Sequence, residues 1–184
     1  MNEHEPGCGG GRFRGRKAAR LVGHGVTETG LYEGSALQGV DPKGRVAIPA
    51  DFRATIERNT AARTIVVGFH PVLPCLRAYD MAFSLRSEAR LQRLEESGVD
   101  IREIERERES VFGDVERAGF DPSGRFIVPD FFREEAKIDA WAFFLGAGPT
   151  FNIWAPEVLI ATPDVNERTR ARCAHMMKNR KVRA

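Results

Sequence analysis

The residues best placed to do specific chemistry in this 184-residue chain are two arginines that follow aspartates at one spacing, Asp41 with Arg45 and Asp121 with Arg125. Each pair brackets a Pro and a Gly, in Asp41-Pro-Lys-Gly-Arg45 and Asp121-Pro-Ser-Gly-Arg125. Asp, Pro and Gly at the first, second and fourth positions suit a type I β-turn: Asp bonds nearby backbone, Pro presets φ, and Gly tolerates the exit geometry. A guanidinium held just past such a turn can fork onto guanine O6 and N7 or onto a phosphate. An aspartate four residues earlier can orient it and so limit the entropy lost on contact. Lys43, at the tip of the first turn, is a mobile point charge better suited to phosphate than to base reading. The same Asp–Arg pairs also read as intramolecular salt bridges that only stabilise a hairpin.

The elements that must position these side chains are written twice. Residues 41–53 lie over residues 121–133 at an offset of 80, with Asp, Pro, Gly, Arg, Pro, Phe and Arg in place at 7 of 13 positions. Average residue usage gives about one match by chance, so the chain reads as a tandem duplication. After each turn a short apolar run, Val46-Ala-Ile48 or Phe126-Ile-Val128, is closed by Pro49 or Pro129, which ends a strand and suits the first turn of a helix. That helix contains Phe52 and Arg53, or Phe132 and Arg133, and the two arginines read as structural, through packing or helix-end pairing. Two β-prone runs follow in each copy, Thr64–Val67 with Cys75–Tyr79, and Trp141–Leu145 with Phe151–Trp154. Each unit is therefore expected to run turn, strand, helix and two strands, with Trp141 and Trp154 in the core.

The rest of the chain divides around these copies. Residues 83–114 form a charge-rich helical connector that Gly98 splits into two helices, its Arg/Glu runs a solvated face with i,i+4 pairs. The expected organisation is a flexible basic arm over 1–30, a first unit over 31–82, the connector, a second unit over 115–160, and a basic helix and tail over 161–184, with a helix after Pro156. Charge follows the same division. Residues 1–20 hold five basic against two acidic residues and residues 165–184 seven against one, which leaves the middle at −7 within a net charge of +2. Basic ends on an acidic body suit contact with a polyanion, although a solvated tail has the same composition.

Composition excludes several classes. With 42% hydrophobic and 29% charged residues the chain is neither disordered nor fibrous. No apolar run approaches membrane-spanning length and there is no apolar leader, so a cytoplasmic protein is expected. Cys8, Cys75 and Cys173 form no CxxC pair and read as reduced thiols. The histidines, His4, His24, His70 and His175, lack metal-ligand spacing, Cys173 with His175 cannot complete a tetrahedral site, and the glycines of 7–11 lack a phosphate-loop ending. No catalytic residue, metal or cofactor is expected.

Tyr32-Glu-Gly34, the motif Asp41–Pro49, and the motif Asp121–Pro129 running on to Leu145-Gly146 and Ile153-Trp154 resemble the MraZ family of bacterial transcriptional regulators over roughly residues 31–160. The resemblance implies an α+β fold related to the SpoVT-AbrB DNA-binding domain. In that fold tandem β-α-β swapped-hairpin units interlock within one chain as a pseudo-twofold β-barrel with additional helices. It implies homo-oligomeric rings, association with the nucleoid, and binding to repeated boxes of double-stranded promoter DNA, usually as an autorepressor of the division and cell-wall gene cluster. It places the DNA contact on the Asp-x-x-x-Arg motifs, hence on Asp41, Arg45, Asp121 and Arg125, with Lys43 beside them. The chain departs from the pattern in two places. Ser123 stands where the first copy has Lys43, and the arm before Tyr32 is long, reading as a DNA-embracing arm or as upstream translation. The other class compatible with these residues is a swapped-hairpin interaction scaffold with only nonspecific DNA affinity, its acidic centre facing a basic partner.

Overall fold

The computed structural model describes residues 30–180. Nearly all of the expected basic arm, with Cys8, His4 and His24, and the last four residues of the tail therefore lie outside the described residues. The first half contributes β1 (Ser35–Gly39), β2 (Arg45–Ala47), α1 (Ala50–Asn59), β3 (Thr64–Phe69) and β4 (Leu76–Asp80). The helices α2 (Met81–Glu96) and α3 (Ile101–Phe112) follow, and then β5 (Val115–Gly119), β6 (Arg125–Ile127), α4 (Asp130–Glu135), β7 (Trp141–Ala147) and β8 (Thr150–Trp154). The described chain ends in α5 (Pro156–Ala161) and α6 (Glu167–Lys178).

Local chemistry sets these boundaries. Pro49 and Pro129 stand at the N-caps of α1 and α4, where a missing N–H costs nothing. The carboxylates of Asp80 and Asp100 accept the backbone N–H of Phe83 and Arg102 to start α2 and α3. Between these helices Gly98 takes φ +84°, as its position between two amphipathic stretches predicts. After Pro156 the helical run is divided into α5 and α6, because Pro163 interrupts it and Asn166 caps a new start by accepting from Arg168 N–H. The expected unit also lacked a strand: β1 and β5 precede the turns, β1 only partly buried and β5 mostly exposed, and their weakly alternating sequences hide them.

The strands form an antiparallel six-stranded sheet ordered β1-β7-β8-β4-β3-β5 and a separate two-stranded ribbon, β2-β6. The fold is thus α+β, but the strand pairing does not close into the expected barrel. β1 and β5 remain the two sheet edges, since β2 and β6 are three residues long, end at prolines, and pair with each other. Both edge strands pair across the halves, β1 with β7 and β5 with β3. Exchanging each element of one half for its counterpart in the other leaves this strand order unchanged.

The main core lies between the sheet and the layer made by the ribbon, α1 and α4. It is built from Tyr32, Val46, Phe52, Ile56, Phe126, Phe132, Phe144 and Phe151, among others, with Tyr32, Phe52 and Phe151 packed ring against ring. The opposite face of the sheet is covered twice. The α5–α6 pair closes on Phe143, Trp154, Leu159, Val165, Cys75 and Cys173, and the α2–α3 pair covers Tyr79, whose hydroxyl donates to Val111 O at 3.0 Å. Coverage on both faces explains why all of β8 is buried and why its sequence is continuously apolar apart from Thr150 and Asn152. Between α2 and α3 the charged face is tied across the helices as well as along them. Arg108 meets Glu88 and Glu95 at 3.5 Å as well as Glu105, and Arg90 pairs with Glu107.

Candidate nucleic-acid interface

In the first turn the Asp41 carboxylate is fully engaged. Its Oδ1 accepts the backbone N–H of Lys43 and of Arg45, both at 2.9 Å, and its Oδ2 accepts Arg45 Nε at 2.6 Å. Gly44 N–H donates to Asp41 O at 2.9 Å, and Gly44 sits at φ +73°. The second turn repeats this with Ser123 and Arg125 on Asp121 Oδ1 at 2.9 Å, Arg125 Nε on Oδ2 at 2.9 Å, and Gly124 at φ +79°. The backbone N–H of Arg45 is foremost in holding Asp41 below its ordinary carboxylate value, and the backbone N–H of Arg125 does the same for Asp121. The guanidinium adds to this in each case.

These bonds use the Nε edge of each arginine. The two terminal nitrogens of Arg45 and of Arg125 keep no protein partner among the described residues, and the side chains are 47% and 56% exposed. The Asp therefore fixes each guanidinium without consuming its outward fork. The intramolecular ion pair and an outward-reading arginine are two parts of one arrangement.

The β2–β6 ribbon brings the two turns together. Arg45 lies opposite Ile127, Val46 opposite Phe126, and Ala47 opposite Arg125. Val46 and Phe126 are buried in the core, so alternation puts Arg45, Ala47, Arg125 and Ile127 on the outer face, the two arginines at diagonal corners. Ile48 N–H donates to Gly124 O at 2.9 Å and Val128 N–H to Gly44 O at 3.0 Å, locking each turn to the strand of the other half. Lys43 and Ser123 are exposed at the tips. Sequence reasoning placed each Asp–Arg pair on its own hairpin and missed that both arginines share one face. Only the pairing of distant strands creates that face.

Arg53 and Arg133 were read as structural, and the form that role takes is reciprocal. Arg53, on α1, reaches the second turn, where its Nη1 donates to Pro122 O at 3.3 Å and its stem packs against Gly124. Arg133, on α4, packs against Gly44 of the first turn, while its Nη2 meets Asp130 at 3.3 Å. The signal for this was present in the sequence as the matched Arg at the last position of the repeat, but its partner lies 69 residues away for Arg53. Of the two tryptophans, Trp154 is buried. Trp141 is only half-buried and lies under the Arg180 guanidinium, 5.9 Å from its ring centroid.

Among the described residues no three His, Cys, Asp or Glu side chains gather to hold a metal ion, and no helix is long and apolar enough to cross a membrane. Cys75 and Cys173 are free and buried. Burial pushes the Cys75 thiol up strongly and the Cys173 thiol up to about 11.

No protein-family model matches the chain. It is 35% identical over 139 residues to the transcriptional regulator MraZ of Rhodospirillum rubrum, an alignment covering 72% of this chain and 82% of that one. It is 31% identical over 128 residues to the protein of the same name from Gluconacetobacter diazotrophicus, covering 68% and 79% of the two chains. With that of Pseudomonas syringae pv. syringae it shares 29% identity over 136 residues, covering 74% and 87%. Identity at this level over most of both chains shows that the chain belongs to the MraZ family of transcriptional regulators.

Proposed function

We propose that this regulator binds promoter DNA sequence-specifically through the outer face of the β2–β6 ribbon. Arg45 and Arg125 read bases, Asp41 and Asp121 orient them, and Lys43 contacts a phosphate. The observation that carries this reading is the shared exposed face, on which two guanidinium forks are held at Nε and left open at their ends. A ribbon of two antiparallel strands is narrow enough to enter a major groove. The invariance of the strand order under exchange of the halves supports reading 31–82 and 115–160 as interlocked swapped-hairpin units joined by the 83–114 connector. Homo-oligomerisation would set several such ribbons against repeated boxes and convert weak contacts into avid ones. In this reading the protein is a cytoplasmic, nucleoid-associated autorepressor of the division and cell-wall gene cluster.

Fluorescence anisotropy tests it, using the full chain, the duplex immediately upstream of its own gene, and a scrambled duplex of equal length at two salt concentrations. Tighter binding to the upstream duplex that survives the higher salt is expected. Equal, salt-labile binding to both would leave only phosphate contacts and favour the interaction scaffold.

A further inference from the structure

On the face of the sheet opposite the ribbon, α2 and α3 enclose with β4 a cleft of about 400 Å³. Its ionisable lining is Arg77 from β4, Arg86 and Arg90 from α2, and Glu107 from α3. Of the other acidic residues of the helical pair, Glu88, Glu95 and Glu105 converge on Arg108. Glu107 answers Arg90 at the rim, where the Arg90 side chain is 56% exposed.

Arg77 is the unusual member. It is half-buried, its Nε is buried without a hydrogen-bond partner, and no carboxylate stands within 4 Å of it among the described residues. Its neighbours in register are Gly68, which offers no side chain, and Asn152, whose own Oδ1 is also buried and unpartnered. The Tyr79 ring, 5.8 Å from the guanidinium carbon, is the favourable contact that faces the charge. The field of this charge reaches His70, whose imidazole is held below its ordinary value by burial and then by Arg77. A buried, charged donor without an acceptor is costly and calls for a partner such as a bound anion; Arg133 and Arg170 also carry a buried, unpartnered Nε, but neither lines this cleft.

We propose that this cleft binds a small phosphorylated molecule, its phosphate on Arg77 and Arg90 and its apolar part against Phe83 and Leu91. Ser87 supplies a hydroxyl. The volume suits a ligand of nucleotide size or smaller. Planar guanidinium groups converging on a concave, partly apolar site match a phosphate better than a halide or a flexible carboxylate chain. The site stands apart from the ribbon and does not depend on the DNA reading.

Isothermal titration of the full chain with phenyl phosphate and with inorganic phosphate tests the proposal. One saturable site per chain is expected, tighter for phenyl phosphate because the ring meets Phe83 and Leu91. Arg77→Gln should weaken it by about tenfold or more, the loss of a charge-assisted hydrogen bond, with Arg77→Lys intermediate and upstream-duplex binding unchanged. Should Arg77→Gln unfold, Arg90→Gln at the rim takes its place, with weaker binding again expected. The proposal is overturned by an absence of saturable heat, by binding unchanged in the variant that folds, or by binding lost only in Arg45→Ala/Arg125→Ala, which would move the anion to the ribbon.

Discussion

The first and second turns present the same arginine geometry on different surroundings. Asp41 and Asp121 hold their turns with the same four hydrogen bonds, of which three agree within 0.1 Å and the Nε bonds are 2.6 and 2.9 Å. Around them several positions differ. Lys43 in the first copy corresponds to Ser123 in the second, Ala47 to Ile127, and Ala50-Asp51 of α1 to Asp130-Phe131 of α4. The last difference redirects the repeated arginine of the helix. With Ala at position 50, Arg53 is left to the carbonyl of Pro122, whereas Asp130, three residues before Arg133, draws that guanidinium back to its own helix. Ile127 and Phe131 make the second turn's outer surface apolar, at 55% and 62% exposure, with Phe131 resting edge-on against Phe69. The orientation of the reading arginine is thus local to its five-residue motif, and the flanks are free to set charge and stickiness separately.

The largest expected effect removes what the turns share. Arg45→Ala and Arg125→Ala should each cost about 1–3 kcal/mol of discrimination between the upstream and scrambled duplexes, and the double variant should bind both alike. Arg45→Ala should be the more damaging in absolute affinity, because Lys43 anchors the phosphate beside it. Anisotropy with both duplexes measures this. Equal losses from the two single variants would make the turns equivalent readers despite Lys43, and loss of thermal stability with DNA binding intact would reduce the pairs to structural salt bridges.

Next in size is the packing that ties each turn to the opposite helix. Gly124→Ala places a Cβ 3.0 Å from both Cδ and Nη1 of Arg53, at φ +79°, whereas at Gly44 the nearest atoms, in Arg133, stand at 3.2 and 3.4 Å with φ +73°. The left-handed backbone alone costs about 1–2 kcal/mol in either place. Gly124→Ala should therefore be the more destabilising in urea unfolding. A larger loss from Gly44→Ala would show that the Arg53 side chain yields more easily than Arg133.

What could be read from the sequence followed from interactions close along the chain. The turns, the prolines that open α1 and α4, the glycine between α2 and α3, and the buried Phe52 and Phe132 depend on neighbours within a few residues, and they stand where the spacing put them. The same locality oriented each arginine on its aspartate. The shared face of Arg45 and Arg125, the crossing of Arg53 to Pro122, and the edge strands β1 and β5 depend on pairing between residues roughly 45–110 positions apart. A repeat shows that two copies exist and is silent on which strand of one pairs with which of the other. The orphaned Nε of Arg77 was equally hidden, since it is defined by what fails to surround it.

A smaller effect concerns the tips. Lys43→Ala should weaken binding to both duplexes alike and reduce the salt slope by about 1, the release of one counterion fewer. Ser123→Lys should raise the slope by about as much if the second tip also lies over a phosphate. A slope unchanged by Ser123→Lys would place that tip away from the backbone and leave the first turn as the sole phosphate anchor.

The smallest effect separates the turns by proton affinity. A carboxylate whose native pKa lies below its unfolded value contributes stability that is complete above the unfolded value and is lost as pH falls through the native one. Both aspartates are of this kind, so the turns should be indifferent to pH near neutrality and loosen only below the ordinary value of 3.8. Both are exposed to solvent, so the contribution to folding is small and the informative readout is local. Carboxyl carbon and arginine Nε–H resonances, followed by NMR from pH 6 downward, should show each Nε–H losing its protection as its own aspartate protonates. The shorter Arg45 Nε to Asp41 contact, 2.6 Å against 2.9 Å, orders the two, with Asp121 protonating first. Coincident titrations would mean that the difference in length carries no energetic weight. An Nε–H that stayed protected after its aspartate had protonated would show that the ribbon, not the carboxylate, orients the arginine.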